Sequence, residues 1–333
     1  MGPLVGEPSE KLLRALTTLE PGERWLVEPR RLGDGMFSPG VRDRVAAGSW
    51  FHRTECFGPV LGVMRARDLD EALSWQNATG YGLTGGIHSL DEDEIEHWLE
   101  RVEVGNAYVN RHITGAIVQR QSFGGWKGSV IGPGAKPGGP NYVAQFGTWS
   151  DTAPSAEPPS AAPPGPVVSE LLATAAAPAP AASASASTPP LSDGDLEWLR
   201  AAAASDAAAW RDEFAREHDP TGLRVESNVF RYRPLPSLRL VVGGDATRRD
   251  VVRVHLAAAC AGVPLSPLRT PPLPGERIRL VGTPPPGLRE DVAAVGATLV
   301  DAPVVRDGRR EMLTVLREQA ISRTRHRFGH VEA

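Results

Sequence analysis

From Asp151 to Pro190 the chain is built mainly of Ala, Pro and Ser, with almost no charge and no aromatic residue. Such a stretch offers too few large apolar groups to offset the entropy lost on ordering it. It is expected to be a flexible, partly extended linker over residues 151–192. The chain of 333 residues therefore divides into two folding parts, 1–150 and 193–333. The 31 prolines, 35 glycines and 6% aromatics argue against one uniform core, because much of that dilution falls in the linker.

A formal charge of -4 and a pI near 6.1 supply no general electrostatic reason to expect nucleic acid or an anionic membrane as partner. Cys56 and Cys260 are far apart and neither belongs to a Cys-x-x-Cys pair, so no disulfide framework and no metal site is indicated. A reducing cytoplasm is the expected location. No basic segment followed by an apolar run opens the sequence, and no run is long enough to span a bilayer.

Residues 9–19 place Leu12, Leu13, Leu16 and Leu19 at helical spacing behind Ser9, and Pro21-Gly22 ends the run. Residues 25–28 and 60–64 read as short strands, and 68–77 as a capped helix ended by Gly80. A strand over 85–89 leads to a helix capped by Asp91, with Ile95, Trp98, Leu99 and Val102 as its buried stripe. A strand over 107–110 follows Gly105-Asn106. This alternation predicts right-handed crossovers and a mainly parallel sheet. Beyond the linker, residues 195–217 read as an Ala-rich helix. Strands at 238–242, 278–281 and 298–300 then alternate with helices at 249–261 and 288–295, a small α/β domain.

Three peptides carry chemistry. Glu55-Cys56-Phe57-Gly58-Pro59 puts a carboxylate, which can accept two hydroxyl donors, just before an apolar strand. Taken alone it also reads as a surface Glu before a turn. Thr79-Gly80-Tyr81-Gly82-Leu83 is a glycine-flanked turn feeding a strand. In the run from Asn110 to Gly125, small residues at Gly115 and Ala116 let backbone N–H groups approach an anion. Cys56 invites a nucleophile reading, but no His stands at a helpful position by sequence, and a plain buried thiol is expected. The glycine-rich Gly132–Tyr142 stretch is not a phosphate loop, since no helix follows and no Lys-Ser or Lys-Thr closes it.

In this order the peptides resemble the last third of an aldehyde dehydrogenase, and more narrowly the L-glutamate γ-semialdehyde (pyrroline-carboxylate) dehydrogenases that complete proline breakdown to glutamate. The resemblance implies that Glu55 bonds the nicotinamide ribose of NAD and that Phe57 and Leu83 lie beside the nicotinamide. It implies that Gly115 and Ala116 clamp the α-carboxylate of the substrate and that Phe123 packs on its aliphatic part. Some relatives carry Ser where Ala116 stands. Tyr142-Val143-Ala144-Gln145-Phe146 is similar to the family's oligomerisation strand, which implies a homo-oligomer. The peptides 222–235 and 317–329 resemble the carboxyl-terminal region of long PutA-type proline-utilisation enzymes, where a non-catalytic extra domain covers the active-site region and helps assembly. The Arg-His-Arg cluster at 325–327 reads as an arginine-rich solvated or interdomain segment rather than a phosphate site.

The resemblance begins in mid-domain, so the fold expected is α/β: a partial aldehyde dehydrogenase catalytic domain with a parallel sheet, an Ala/Pro-rich linker, and a small carboxyl-terminal α/β domain. It places the nucleophilic Cys, the general-base Glu and the Rossmann portion before Met1, so no catalytic residue is assigned in this chain and inactivity alone is expected. A small-molecule substrate and a missing amino-terminal dehydrogenase half are the implied partners. Two other readings stand beside this one: a non-catalytic assembly or lid module, and a binding module for carboxylates or nucleotides. The residue that selects NAD over NADP lies outside the matched portion.

Overall fold

A computed structural model describes residues 6–33, 35–113, 116–117, 120–151, 163–177, 190–327 and 330–331. The chain forms two compact units, one of residues 1–80 and 90–103, the other of residues 81–89 and 104–333. The division therefore falls inside the first 150 residues and not at the Ala/Pro/Ser tract.

In the first unit, helix α1 (Glu10–Thr17) starts where the Ser9 hydroxyl accepts the Leu12 N–H. Leu12, Ala15 and Leu16 form its buried stripe, while Leu13 is exposed and Leu19 lies beyond the helix end. Strands β1 (Arg24–Val27), β2 (Gly40–Asp43) and β3 (Val60–Gly62) make a sheet in which β2 pairs antiparallel with β1 and parallel with β3. Arg42 on β2 is fully buried. Its guanidinium donates to the Thr18 carbonyl at 2.9 Å and to the Glu23 carboxylate, and stacks 4.4 Å above Phe51. A buried cation persists only when its charge is met by a close counter-charge, which Glu23 supplies here. Helices α2 (Leu69–Asn77) and α3 (Glu92–Arg101) are capped by Asp68 and Asp91. Ile95, Trp98 and Val102 are buried, and the Trp98 indole N–H donates to Gln76 at 2.9 Å.

The second unit contains two four-stranded sheets. Strands β4 (Thr84–Ile87) and β5 (Asn106–Val109) run parallel. On the other side of β5 lies β11 (Leu316–Thr324), also parallel, in register Ala320 to Asn106 through Arg323 to Val109. Strand β6 (Glu226–Pro234) pairs antiparallel with β11 over its whole length. The second sheet, ordered β8 (Leu265–Pro267), β7 (Leu238–Val242), β9 (Arg277–Val281), β10 (Thr298–Val300), is wholly parallel. Its crossovers are helices α6 (Arg248–Ala261) and α7 (Leu288–Ala294). The α/β class with parallel sheets is the architecture the sequence predicts.

Two expectations are corrected. Within the tract read as disordered linker, residues 166–176 form helix α4 (Pro166–Ala176), begun by a proline in its first turn. Its Val168 is buried with Leu199 of α5 (Asp193–Ala209) and Leu256 of α6. The short apolar run Val167-Val168 and Leu171-Leu172 supplies the surface that the surrounding Ala and Pro lack. Residues 152–162 and 178–189 of the tract lie outside the described residues. The expected oligomerisation strand is instead a 3₁₀ turn over Val143–Phe146. Its backbone groups bond locally, Gln145 N–H to the Tyr142 carbonyl, and the Tyr142 and Phe146 rings meet edge to face at 5.5 Å. A strand needs a ladder partner for its N–H and C=O groups, and short-range bonds satisfy them where none is paired.

Candidate functional site

The predicted contact residues fall in both units: Glu55 and Phe57 in the first, Leu83, Ala116 and Phe123 in the second. Gly115 lies outside the described residues.

In the first unit a one-turn helix capped by Ser49 leads to Thr54. The next side chains then alternate. Cys56 points into the cluster of Leu12, Ala15 and Leu16, whereas Glu55 and Phe57 are exposed, the Phe57 ring by 82%. Burial pushes the Cys56 thiol above its ordinary pKa against the pull of Lys11 and Arg42, so the group stays protonated and acts as an anchor. Phe57 takes a left-handed backbone, φ 54°, which is strained for a bulky residue. At Gly58 an added Cβ would sit 2.3 Å from the Leu12 side chain, so a larger residue there would push Leu12 aside. The result is a peptide nailed down through Cys56 that presents a carboxylate and a bare aromatic ring outward. These two groups fit a dinucleotide in kind, since a carboxylate suits ribose hydroxyls and an apolar face suits a flat ring.

In the second unit the Tyr81–Gly82 strand pairs with Trp126–Lys127, and Leu83, partly exposed, follows it into β4. The Leu83 carbonyl accepts the Asn106 N–H at 3.0 Å. Asn106, fully buried at the start of β5, is the hub. Its amide Nδ2 donates to the Ser122 carbonyl at 3.0 Å, and its Oδ1 accepts the Gly124 N–H at 2.9 Å. One side chain thus grips the main chain immediately before and after Phe123. A third tie, Phe123 N–H to the Pro137 carbonyl at 3.2 Å, completes the fixation of that half-buried ring. An added Cβ at Gly105 would lie 2.0 Å from the Gly124 carbonyl oxygen, so the closeness of β5 to this loop requires glycine there.

Below the hub lies Lys136, 1% exposed. Its ammonium donates to Asn106 Oδ1 at 3.1 Å and to the Gly124 carbonyl. Burial pushes its pKa down to about 7, with the Glu318 charge pulling the other way. Glu318, on β11, accepts the Lys136 backbone N–H at 2.7 Å and the Asn141 amide at 2.8 Å. Burial raises its pKa, opposed first by the hydrogen bond from Asn141. The Trp126 indole N–H donates to the Glu318 carbonyl at 2.7 Å.

The loop carrying Ala116 is fixed at both ends by the same strand pair. Arg111 reaches one oxygen of Glu226 at 3.2 Å and the Ser322 hydroxyl at 2.5 Å. Arg120 reaches the other Glu226 oxygen at 3.1 Å. Ala116 itself is half-buried.

Asn106, Lys136, Glu226 and Glu318 were not singled out by sequence reasoning. One signal was present for Lys136: lysine occurs three times among 36 basic residues, and a chain so biased to arginine keeps a lysine where a compact charge is needed. Among the described residues no cluster of His, Cys, Asp and Glu could hold a metal ion, and no helix is long and apolar enough to cross a membrane.

Residues 1–150 match the aldehyde dehydrogenase family. Over 131 residues the chain is 41% identical to the 1-pyrroline-5-carboxylate dehydrogenases of Bacillus thuringiensis and Bacillus mycoides, an alignment that covers 38% of this chain and 23% of each relative. The structure of Proline Utilization A (PutA) from Corynebacterium freiburgense is similar to 99% of this chain at 53% identity and a TM-score of 0.85, and the chain covers 32% of it. The chain therefore spans less than a quarter of the length of the curated relatives and about a third of the PutA chain. Residues 1–150 are thus similar to part of the aldehyde dehydrogenase family, and the chain as a whole is similar to about a third of a PutA structure.

Proposed function

We propose that this chain is the substrate-anchoring portion of an NAD-dependent L-glutamate γ-semialdehyde dehydrogenase acting in proline breakdown. The observation that carries the reading is the Asn106 grip on both sides of Phe123, joined to the Glu226 hold on Arg111 and Arg120. Such preorganised backbone holds an apolar ring in place without reorganisation when substrate enters. In this reading Gly115 and Ala116 take the α-carboxylate through their N–H groups, and Phe123 covers the aliphatic chain. Glu55 holds the nicotinamide ribose, with Phe57 and Leu83 at the nicotinamide. NAD, when bound, accepts the hydride.

The chain's own residues bind and orient. Cys56, buried with its pKa raised, does not serve as nucleophile, and burial pushes the Cys260 thiol up to about 12. Chemistry therefore requires the portion of such an enzyme that bears a reactive thiolate and a general base. Mixing or fusing this chain with an amino-terminal dehydrogenase half should restore semialdehyde-dependent NAD reduction, with none from either part alone. Reduction by the isolated chain, or none by the fused protein once shown to be folded, would reject the proposal.

A second reading, a non-catalytic assembly or lid module, draws on the β6–β11 pair, which extends the sheet beyond β5. Turnover by the fused protein that depends on Phe123 distinguishes the two.

A further inference from the structure

A cavity of about 420 Å³ lies within the second unit. One wall comes from the Gly-rich run and the segment after it, including Pro133, Ala144 and Trp149, and the other from the tail, including Leu299, Leu313 and Leu316. Its volume is in the range of small-molecule sites, and most of its lining surface is apolar, with polar groups set among it.

The polar groups are not equivalent. Asp301 is engaged by Arg289 at 2.6 Å, and both oxygens of Glu318 are occupied by Lys136 N–H and the Asn141 amide. Arg310 differs. Its guanidinium carbon lies 3.7 Å above the Trp149 ring, and its side chain has no carboxylate or carbonyl partner among the described residues. A guanidinium stacked through its face keeps its in-plane N–H groups for an anion, in the fork geometry that fits a carboxylate. Desolvation, reinforced by neighbouring Arg309, holds the Arg310 pKa below its ordinary value, although the charges of Asp307 and Glu213 pull the other way without bonding its side chain. The carboxylates of Asp301 and Glu318 in the same lining weigh against a dianion such as a phosphate monoester and favour a single negative charge.

We propose that this cavity is a binding site for a small monocarboxylate with an apolar body, the carboxylate meeting the Arg310 guanidinium and the body lying among Ala144, Leu313 and Leu316. It is independent of the dehydrogenase reading, since it uses none of the residues assigned to NAD or semialdehyde.

The test is calorimetric titration of the full chain with 4-phenylbutyrate, octanoate and the neutral 4-phenylbutyramide. At least one acid should bind saturably, the amide should bind about tenfold or more weakly than phenylbutyrate, and Arg310→Gln should bring the acids down to the level of the amide. Ala144→Trp, which fills the cavity and leaves the cation in place, should abolish binding. Absence of saturable binding by both acids, equal binding of acid and amide, or unchanged acid binding in Ala144→Trp would each overturn the proposal. Should Arg310→Gln not fold, the acid and amide comparison on the unaltered chain still decides.

Discussion

The Lys136 ammonium lies 3.1 Å from the Asn106 side-chain oxygen, and that same oxygen accepts the Gly124 N–H. A buried cation and a strand-opening amide therefore share responsibility for one turn of the Phe123 loop. Replacing Asn106 with Ala leaves the Ser122 carbonyl, the Gly124 N–H and Lys136 each short of a partner. A loss of about 3 kcal/mol is expected from such unmet buried groups, together with faster hydrogen exchange at Gly124. Urea unfolding checks the first and exchange mass spectrometry the second.

Lys136 also sets a pH dependence. Its pKa in the folded chain is about 7, against 10.5 for the ordinary group. Between these values the unfolded chain binds more protons, so stability rises as pH rises from about 7 toward 10.5 and is lost as pH falls through 7. The slope from this one group reaches at most about 1.4 kcal/mol per pH unit. Urea midpoints at pH 7 and pH 9.5 should rise in the native chain and stay nearer level in Lys136→Met; parallel curves would refute the assignment.

Phe57→Gly separates stability from binding. The ring is exposed and its backbone left-handed, so removing the side chain relieves strain at the cost of unfolded-state entropy. A net gain of about 0.5 kcal/mol is expected. In a fused, active enzyme the same change should weaken NAD, read as a raised KM for the dinucleotide.

Glu226→Gln releases Arg111 and Arg120 together. Because Glu226 is only partly buried, global stability should fall by no more than about 1–2 kcal/mol. Exchange across residues 111–121 should accelerate about tenfold or more, corresponding to about 1.4 kcal/mol of local protection. Unchanged exchange would show that the loop is held by other means.

Val168→Asp probes the helix inside the Ala/Pro tract. Val168 is 3% exposed against Leu199 and Leu256, so a buried carboxylate there should cost about 3 kcal/mol or more. If the melting midpoint were unaffected, α4 would not be docked in solution.

Helices α1, α2, α3, α6 and α7 and strands β7, β9 and β10 were legible because their apolar spacing is regular and caps are conventional: Ser9, Asp68 and Asp91 each accept the N–H groups their positions predict. Strands β2 and β8 were missed, being only four and three residues long. The β6–β11 pair was not. Its interior positions include Asn228, Glu318, Gln319 and Ser322, all buried and polar, so the alternation that marks a strand is obscured by groups whose partners are remote in sequence. The same remoteness hid the hub. Asn106 reads as a turn residue until Ser122, Gly124 and Lys136 are brought round it. The peptides of Glu55, Phe57, Leu83, Ala116 and Phe123 stand out in the sequence, whereas Asn106, Lys136 and Glu226 gain their partners through tertiary contacts alone.

Arg111 and Ser322 are 211 positions apart in sequence, yet the strands beside them, β5 and β11, share one ladder. During synthesis β5 leaves the ribosome long before its neighbour exists, and until then one of its edges stands open to any other extended chain. Completion of that sheet is therefore a late event with high contact order. Premature termination before Leu316 should yield polypeptide with one edge of β5 unpaired and prone to aggregate.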